Sequence, residues 1–94
     1  MAIARVVTFE GVTAERIEQL RRDVGEQDPP ADIPAREILM LHNADTEKAV
    51  VILFFDSGAD YARGDAALNA MPADDTPGRR SSVGAYEVAL RRTM

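Results

Sequence analysis

The sequence contains no cysteine and no tryptophan, and His42 is its single histidine. Without cysteine the chain can form neither a disulfide framework nor a thiolate nucleophile. A single histidine cannot build a histidine-based metal site within one chain. We therefore expect no metal and no cofactor.

Positive charge is also scarce, because 11 Lys and Arg residues face 16 Asp and Glu residues and leave a net charge of −5. Binding to nucleic acid or to an anionic membrane surface requires a basic face, so we expect neither partner. No apolar run approaches the roughly 20 residues of a membrane-spanning helix. Arg5 interrupts the N-terminal apolar run, which does not resemble a secretory signal. These absences predict a cytoplasmic protein.

The 94 residues, 46% of them hydrophobic, suffice for one domain, 1–94, with one modest core. Apolar, β-branched runs and helical periodicity alternate in the order β-α-β-β-α-β. Thr13 and Ser57 each offer a helix N-cap, and Gly25 and Pro72 mark where the two helices should end. The predicted strands are 2–9, 35–43, 48–55 and 81–92.

This order of elements predicts an α+β, ferredoxin-like fold. Its four-stranded antiparallel sheet has the order 4-1-3-2, with both helices on one face. Strand 48–55 then lies inside the sheet, which fits its seven consecutive apolar residues after Lys48. The helices cover one face only. Both alternating sets of side chains in this strand are apolar, so the face that the helices leave open is apolar as well. That face would carry either Val50, Ile52 and Phe54 or Ala49, Val51, Leu53 and Phe55.

An apolar sheet face of this size normally marks an interface. We expect a second copy, related by a two-fold axis, to cover it and to form a homodimer through the sheet face. The second predicted strand agrees, because Ile38 and Met40 alternate with Leu39 and Leu41, which makes both of its sides apolar. The alternative is a monomer whose long loops fold over the sheet.

Three stretches carry a resemblance to a known family: RVVTFEGVTAERIEQL at 5–20, VVILFFDSGADYARGDAALNAM at 50–71 and SVGAYEVAL at 82–90. Their hydrophobic register and spacing resemble the dimeric α+β barrel superfamily, whose small members include the antibiotic-biosynthesis-monooxygenase-like proteins. The resemblance implies two sheets packed face to face, and a ligand site between the sheet and the helices of each protomer. It covers nearly the whole chain, and it is specific for the fold rather than the function.

The chain departs from the enzymes of that superfamily at two points. The cofactor-free oxygenases commonly have a tryptophan and asparagines in the pocket, and this sequence has no tryptophan. The haem-degrading members take an axial histidine from a helix, whereas His42 lies at the end of a predicted strand. We therefore do not expect haem.

Arg5 is the unusual residue of the first strand, because an isolated charge inside a central strand is costly. Antiparallel pairing of the first and last strands can place Arg5 opposite Glu87, with Val7 opposite Ala85 and Ile3 opposite Ala89. We expect Arg5 and Glu87 to lie close together. The pair is either a structural cross-strand ion pair or part of a cavity in which Arg5 binds an anionic or carbonyl-bearing ligand.

The other polar candidates also have structural alternatives. His42 is a candidate general base, but its place beside a polar turn also suits a solvated histidine. Tyr86 can donate a hydrogen bond into a pocket or simply pack within the strand. Tyr61 and Leu68 share one face of the second predicted helix and are candidates to line a ligand site.

Three further features are weaker. GRRSS at 78–82 can bind phosphate or carboxylate, or it can be an ordinary solvated loop. Asn69 can face a pocket or help to end the helix. Gly64, on the inner face of its helix, allows either close packing on the sheet or room for a ligand.

Two functions remain open at this point. The first is a dimeric module without an identifiable catalytic motif that binds a small hydrophobic or anionic molecule between sheet and helices, or that is a structural accessory to another enzyme. The second is a cofactor-free monooxygenase-like enzyme that acts on an aromatic or polyketide-like substrate, with Arg5, His42 and Tyr86 as its polar groups. The missing tryptophan and the single histidine favour the first.

Overall fold

The computed structural model describes residues 2–26, 33–70 and 77–93. Its elements are β1 (Ile3–Glu10), α1 (Ala14–Glu26), β2 (Glu37–Asn43), β3 (Lys48–Phe55), α2 (Gly58–Asn69) and β4 (Arg79–Glu87). The strands form one antiparallel sheet in the order β2-β3-β1-β4, which is the predicted order 4-1-3-2 counted from the other edge. This α+β architecture is compatible with the ferredoxin-like fold.

Both helices begin at the predicted N-caps. The Oγ1 of Thr13 accepts a hydrogen bond from the backbone N–H of Arg16 at 3.2 Å, and the Oγ of Ser57 accepts one from Asp60 at 3.2 Å. Each bond satisfies an amide that the first helical turn leaves without a partner. The end predicted for α2 at Pro72 lies outside the described residues, within which α2 ends at Asn69.

The last strand differs from its prediction at both ends. β4 runs over Arg79–Glu87 rather than 81–92. Arg79 and Arg80 pair with Glu10 and Phe9, whereas pairing stops at Glu87 because its partner Ile3 is the first residue of β1. After Glu87, the amide of Val88 donates one more hydrogen bond to the carbonyl of Ala2, at 3.0 Å.

The core lies between the helices and one face of the sheet. Odd-numbered side chains of β1 and β3 form it, because register places them on the same face. Ile17 of α1 is buried in this cluster, and Tyr61 and Leu68 of α2 pack against it. The buried sheet residues of the cluster are Val7, Phe9, Ala49, Val51, Leu53 and Phe55.

Gly64 brings α2 close to this face. A Cβ at position 64 would lie 2.4 Å from Cε1 of Phe55, a distance that real Cβ atoms do not tolerate. Tyr61, one turn earlier, meets the same Phe55 ring edge to face, with the ring centroids 5.7 Å apart and the planes at 79°. Gly64 therefore serves close packing of helix on sheet, one of the two roles predicted for it.

The opposite side of the sheet, which we call the open face, carries Val6, Leu39, Leu41, Val50, Ile52, Phe54 and Tyr86 on its apolar surface. The structure thus decides between the two β3 sets: Val50, Ile52 and Phe54 face away from the helices. Leu39 and Leu41 are 42% and 53% exposed. Within the described residues, no helix is long and apolar enough to cross a membrane.

Candidate functional site

The most distinctive polar arrangement surrounds Arg5, on the helix side of β1. Arg5 is only 3% exposed. Its Nε donates a hydrogen bond to Oδ1 of Asp65 at 2.9 Å, and its Nη2 donates one to Oδ1 of Asn69 at 3.2 Å. A buried guanidinium without such partners would be costly, so α2 supplies what the apolar sheet cannot.

Two further hydrogen bonds join these groups into one network. Nδ2 of Asn69 donates to Oδ2 of Asp65 at 3.2 Å, and Nη1 of Arg80 donates to Oδ1 of Asn69 at 2.7 Å. Asp65 and Asn69 are four residues apart on α2, so they lie one above the other on the same side of the helix. We call Arg5, Asp65, Asn69 and Arg80 the polar network; its two guanidinium groups outnumber its one carboxylate.

Arg80 reaches the network because β4 changes register beside it. The pairing of β1 with β4 shifts between Thr8 and Phe9, which adds a residue to β4 at Ser81. A bulge of this kind changes the face on which the neighbouring side chains of its strand lie. Arg80 then lies opposite Phe9, on the helix side of the sheet.

The predicted pairing of Arg5 with Glu87 is wrong by two residues. Arg5 lies opposite Ala85, and Glu87 lies opposite Ile3. Arg5 and Glu87 share a face of the sheet, as expected, but the ion-pair partner of Arg5 is Asp65, with Asp65 itself 31% exposed. The small Ala85 leaves the space beside Arg5 on the edge strand unoccupied by a long side chain.

The three polar groups considered for catalysis do not come together. His42 pairs across the sheet with Ala49, far along the strands from Arg5, and its Nε2 lies 2.8 Å from the carbonyl oxygen of Val12. That contact ties the β1–α1 connection to the β2–β3 hairpin. Tyr86 lies on the open face and is 61% exposed, on the other side of the sheet from Arg5.

The pair Arg79 and Arg80 of the GRRSS stretch also diverges. Arg79 lies opposite Glu10 and forms an ion pair with it at 3.4 Å, whereas Arg80 joins the polar network on the other face. The Oγ of Ser81 donates to the carbonyl of Thr8 at 3.2 Å. This stretch is a bulged strand whose two guanidinium groups do not converge on one anion.

Tyr61 and Leu68, two of the residues predicted to line a ligand site, lie between the sheet and α2. Both pack against the hydrophobic core, and Leu20 of α1 is 8% exposed. The polar end of this space lies at Asp65 and Asn69.

Two open clefts in the described part of the chain lie elsewhere. One, of about 410 Å³, is at the end of the sheet, between Arg36, Phe54, Asp56 and Arg91. There the guanidinium of Arg91 lies 4.8 Å from the centroid of the Phe54 ring and pairs with Glu37. The other, of about 430 Å³, is on the surface of α1 at Gln19, Arg22 and Asp23.

Sequence reasoning identified Arg5 but missed the role of Asp65, Asn69 and Arg80. A usable signal was present, because a buried arginine needs an acid and Asp65 follows Tyr61 by four residues on the inner side of α2. In residues 2–26, 33–70 and 77–93, no group of three or more potential ligand side chains is arranged to hold a metal ion.

Comparison with known proteins adds no family to these observations. No family model matches the chain, and the search of curated proteins found no match.

Proposed function

We propose that the protein is a homodimeric α+β barrel module that binds a small hydrophobic or anionic molecule between the sheet and α2 of each protomer, in the cytoplasm. The observation that carries the ligand-binding part is the polar network. Two guanidinium groups donate to the amide oxygen of Asn69 there, and one carboxylate, that of Asp65, pairs with Arg5, at the only place in the described residues where a buried charge interrupts the apolar core. A structural ion pair alone needs one arginine, and the network has two.

The open face supports the dimeric part of the proposal. Leaving apolar surface in water costs about 25 cal/mol per Å², and the open face presents seven apolar or aromatic side chains from all four strands. The chain following β4 covers one end of this face, where Arg91 lies over Phe54. Leu39 and Leu41, at the β2 edge, stay exposed, so the described chain leaves part of the open face uncovered.

Two neighbouring residues of β2 provide a matched test of the dimer. Ile38 and Leu39 are almost equally exposed, at 41% and 42%, but Ile38 lies opposite Leu53 on the helix side and Leu39 lies on the open face. Sedimentation velocity at micromolar concentration should show a dimer for the wild type and Ile38→Asp, and a monomer for Leu39→Asp. A folded wild-type monomer of 10.3 kDa would overturn the dimer.

The ligand-binding part is tested by a thermal-shift screen of aromatic and acidic metabolites. A compound that binds only the native state raises the Tm. The shift should disappear in Asn69→Ala, which removes the amide that joins both arginines, and should persist in Gln19→Ala, in the cleft on α1. An unchanged shift in Asn69→Ala would place binding elsewhere. Consumption of dioxygen by a bound compound would instead identify the monooxygenase-like alternative.

A further inference from the structure

We infer that the molecule bound at the polar network is a small monocarboxylic acid with an apolar body. Its carboxylate would be held by Arg5 and Arg80, and its body would lie on the helix side of β4 against Val83 and Ala85. This inference rests on the proposed ligand-binding function and narrows it to one chemical class.

The first step is that Arg5 keeps a donor for a ligand. Its Nε and Nη2 donate to Asp65 and Asn69, and Nη1 makes no hydrogen bond to any described residue. Among the described residues, Nη1 is therefore the guanidinium nitrogen left for a ligand, although Arg5 as a whole is only 3% exposed. The guanidinium is thus fixed in place by α2 with one nitrogen available.

The second step concerns charge. Arg5 and Arg80 carry two positive charges and Asp65 carries one negative charge, which leaves one positive charge for a ligand to neutralise. A carboxylate supplies one negative charge, and its planar pair of oxygens suits guanidinium donors. A phosphate dianion would be repelled by Asp65, which lies 2.9 Å from Arg5.

The third step concerns the apolar body. Val83 pairs with Val7 and Ala85 pairs with Arg5, so both lie on the helix side of β4, yet Val83 is 40% exposed. The small side chain of Ala85 leaves room beside Arg5. Glu87, next on that side of β4, would repel a second carboxylate at the far end of the ligand, which favours a monoacid.

Titrations of the full chain, followed by NMR, test the inference with three probes. Hexanoate should shift the backbone amide signals of Val83 and Ala85. Hexan-1-ol, which keeps the apolar body, should bind about tenfold or more weakly, because it loses the charge-assisted hydrogen bonds. Inorganic phosphate should not shift these signals. Equal binding of hexanol and hexanoate, or no shift with hexanoate, would overturn the inference.

Neighbouring arginines of β4 provide the matched variants. Arg80→Gln should weaken hexanoate binding about tenfold, whereas Arg79→Gln, on the other face, should leave it unchanged. Ala85→Leu should block the apolar body without altering the polar network. Equal effects of the two arginine variants would overturn the inference. The broader proposed function would survive that result if another metabolite bound in an Asn69-dependent way, and the dimer test with Leu39→Asp is independent of both.

Discussion

At the scale of single residues, Arg5 shows how a charge is accommodated inside an apolar strand. Its neighbours across the sheet are Leu53 and Ala85, neither of which can pair with a guanidinium. The partners come instead from α2, through Asp65 and Asn69. Arg5 therefore links the sheet to the helix, and the loss of its carboxylate partner should destabilise the whole fold.

Replacement of Asp65 by alanine should lower the free energy of unfolding by about 3 kcal/mol, because it leaves a buried guanidinium without its counter-charge. Urea denaturation measures the change. Asp56→Ala is the matched control, since Asp56 pairs with Arg36 at 3.0 Å on the exposed surface and should cost less than about 1 kcal/mol. Similar losses in the two variants would contradict the structural role of the Arg5–Asp65 pair.

Gly64→Ala should destabilise the protein even though alanine favours helix. The new Cβ would lie 2.4 Å from the Phe55 ring, and overpacking of a core costs about 1–3 kcal/mol, against a gain of at most about 1 kcal/mol in helix propensity. Gly25→Ala is the control, because a Cβ there meets nothing within 4 Å and should be neutral or stabilising. The urea midpoints of the two variants, compared with that of the wild type, measure the effect. A stabilised Gly64→Ala variant would show that Phe55 moves freely.

At the scale of elements, α2 combines three tasks on one side. Gly64 allows close approach to the sheet, Tyr61 and Leu68 pack on the core, and Asp65 and Asn69 form the helix half of the polar network. The position of Asp65 and Asn69 relative to Arg5 depends on where the helix begins. Ser57 determines that start through its cap on Asp60.

Ser57→Ala should lower stability by about 1 kcal/mol, because it removes the acceptor of the Asp60 amide at the start of α2. Ser57→Asp should keep most of the stability, since aspartate is an equally good N-cap and suits the positive end of the helix dipole. Thermal unfolding followed by circular dichroism distinguishes the two. Equal destabilisation by both substitutions would indicate that another interaction determines the start of α2.

At the scale of the whole molecule, the two faces of the sheet differ in what covers them. The helices bury the side with Val7, Val51 and Phe55, all at 7% exposure or less. The open face has only the chain after β4 at one end. A domain of this size gains much of its stability from buried apolar area. A partner that buries the open face should therefore stabilise the folded state.

If the open faces pair, the Tm should rise with protein concentration, because association stabilises the folded state by mass action. A hundredfold increase in concentration should raise the Tm of the wild type and of Ile38→Asp. The Tm of Leu39→Asp should be independent of concentration, since its charge lies on the open face. A wild-type Tm that does not depend on concentration would contradict the dimer.

The element order, the strand order and the helix starts followed from the sequence. Each depends on local chemistry: alternation and β-branching in the strands, a hydroxyl before each helix, and an apolar run in β3 that has to lie inside a sheet. The chain also showed, by itself, that both sides of β3 are apolar. From this pattern we predict that a second copy covers the open face.

Only the tertiary structure decided which side of β3 meets the helices and what Arg5 contacts. A shift of two residues in strand register leaves every side chain on the same face, so hydrophobic pattern alone could not separate Ala85 from Glu87 as the neighbour of Arg5. The bulge at Ser81 and the close packing of α2, which Gly64 allows, bring Arg80, Asp65 and Asn69 to Arg5, which is distant from them in the chain. Contacts of that kind depend on how the elements pack, which local sequence patterns do not determine.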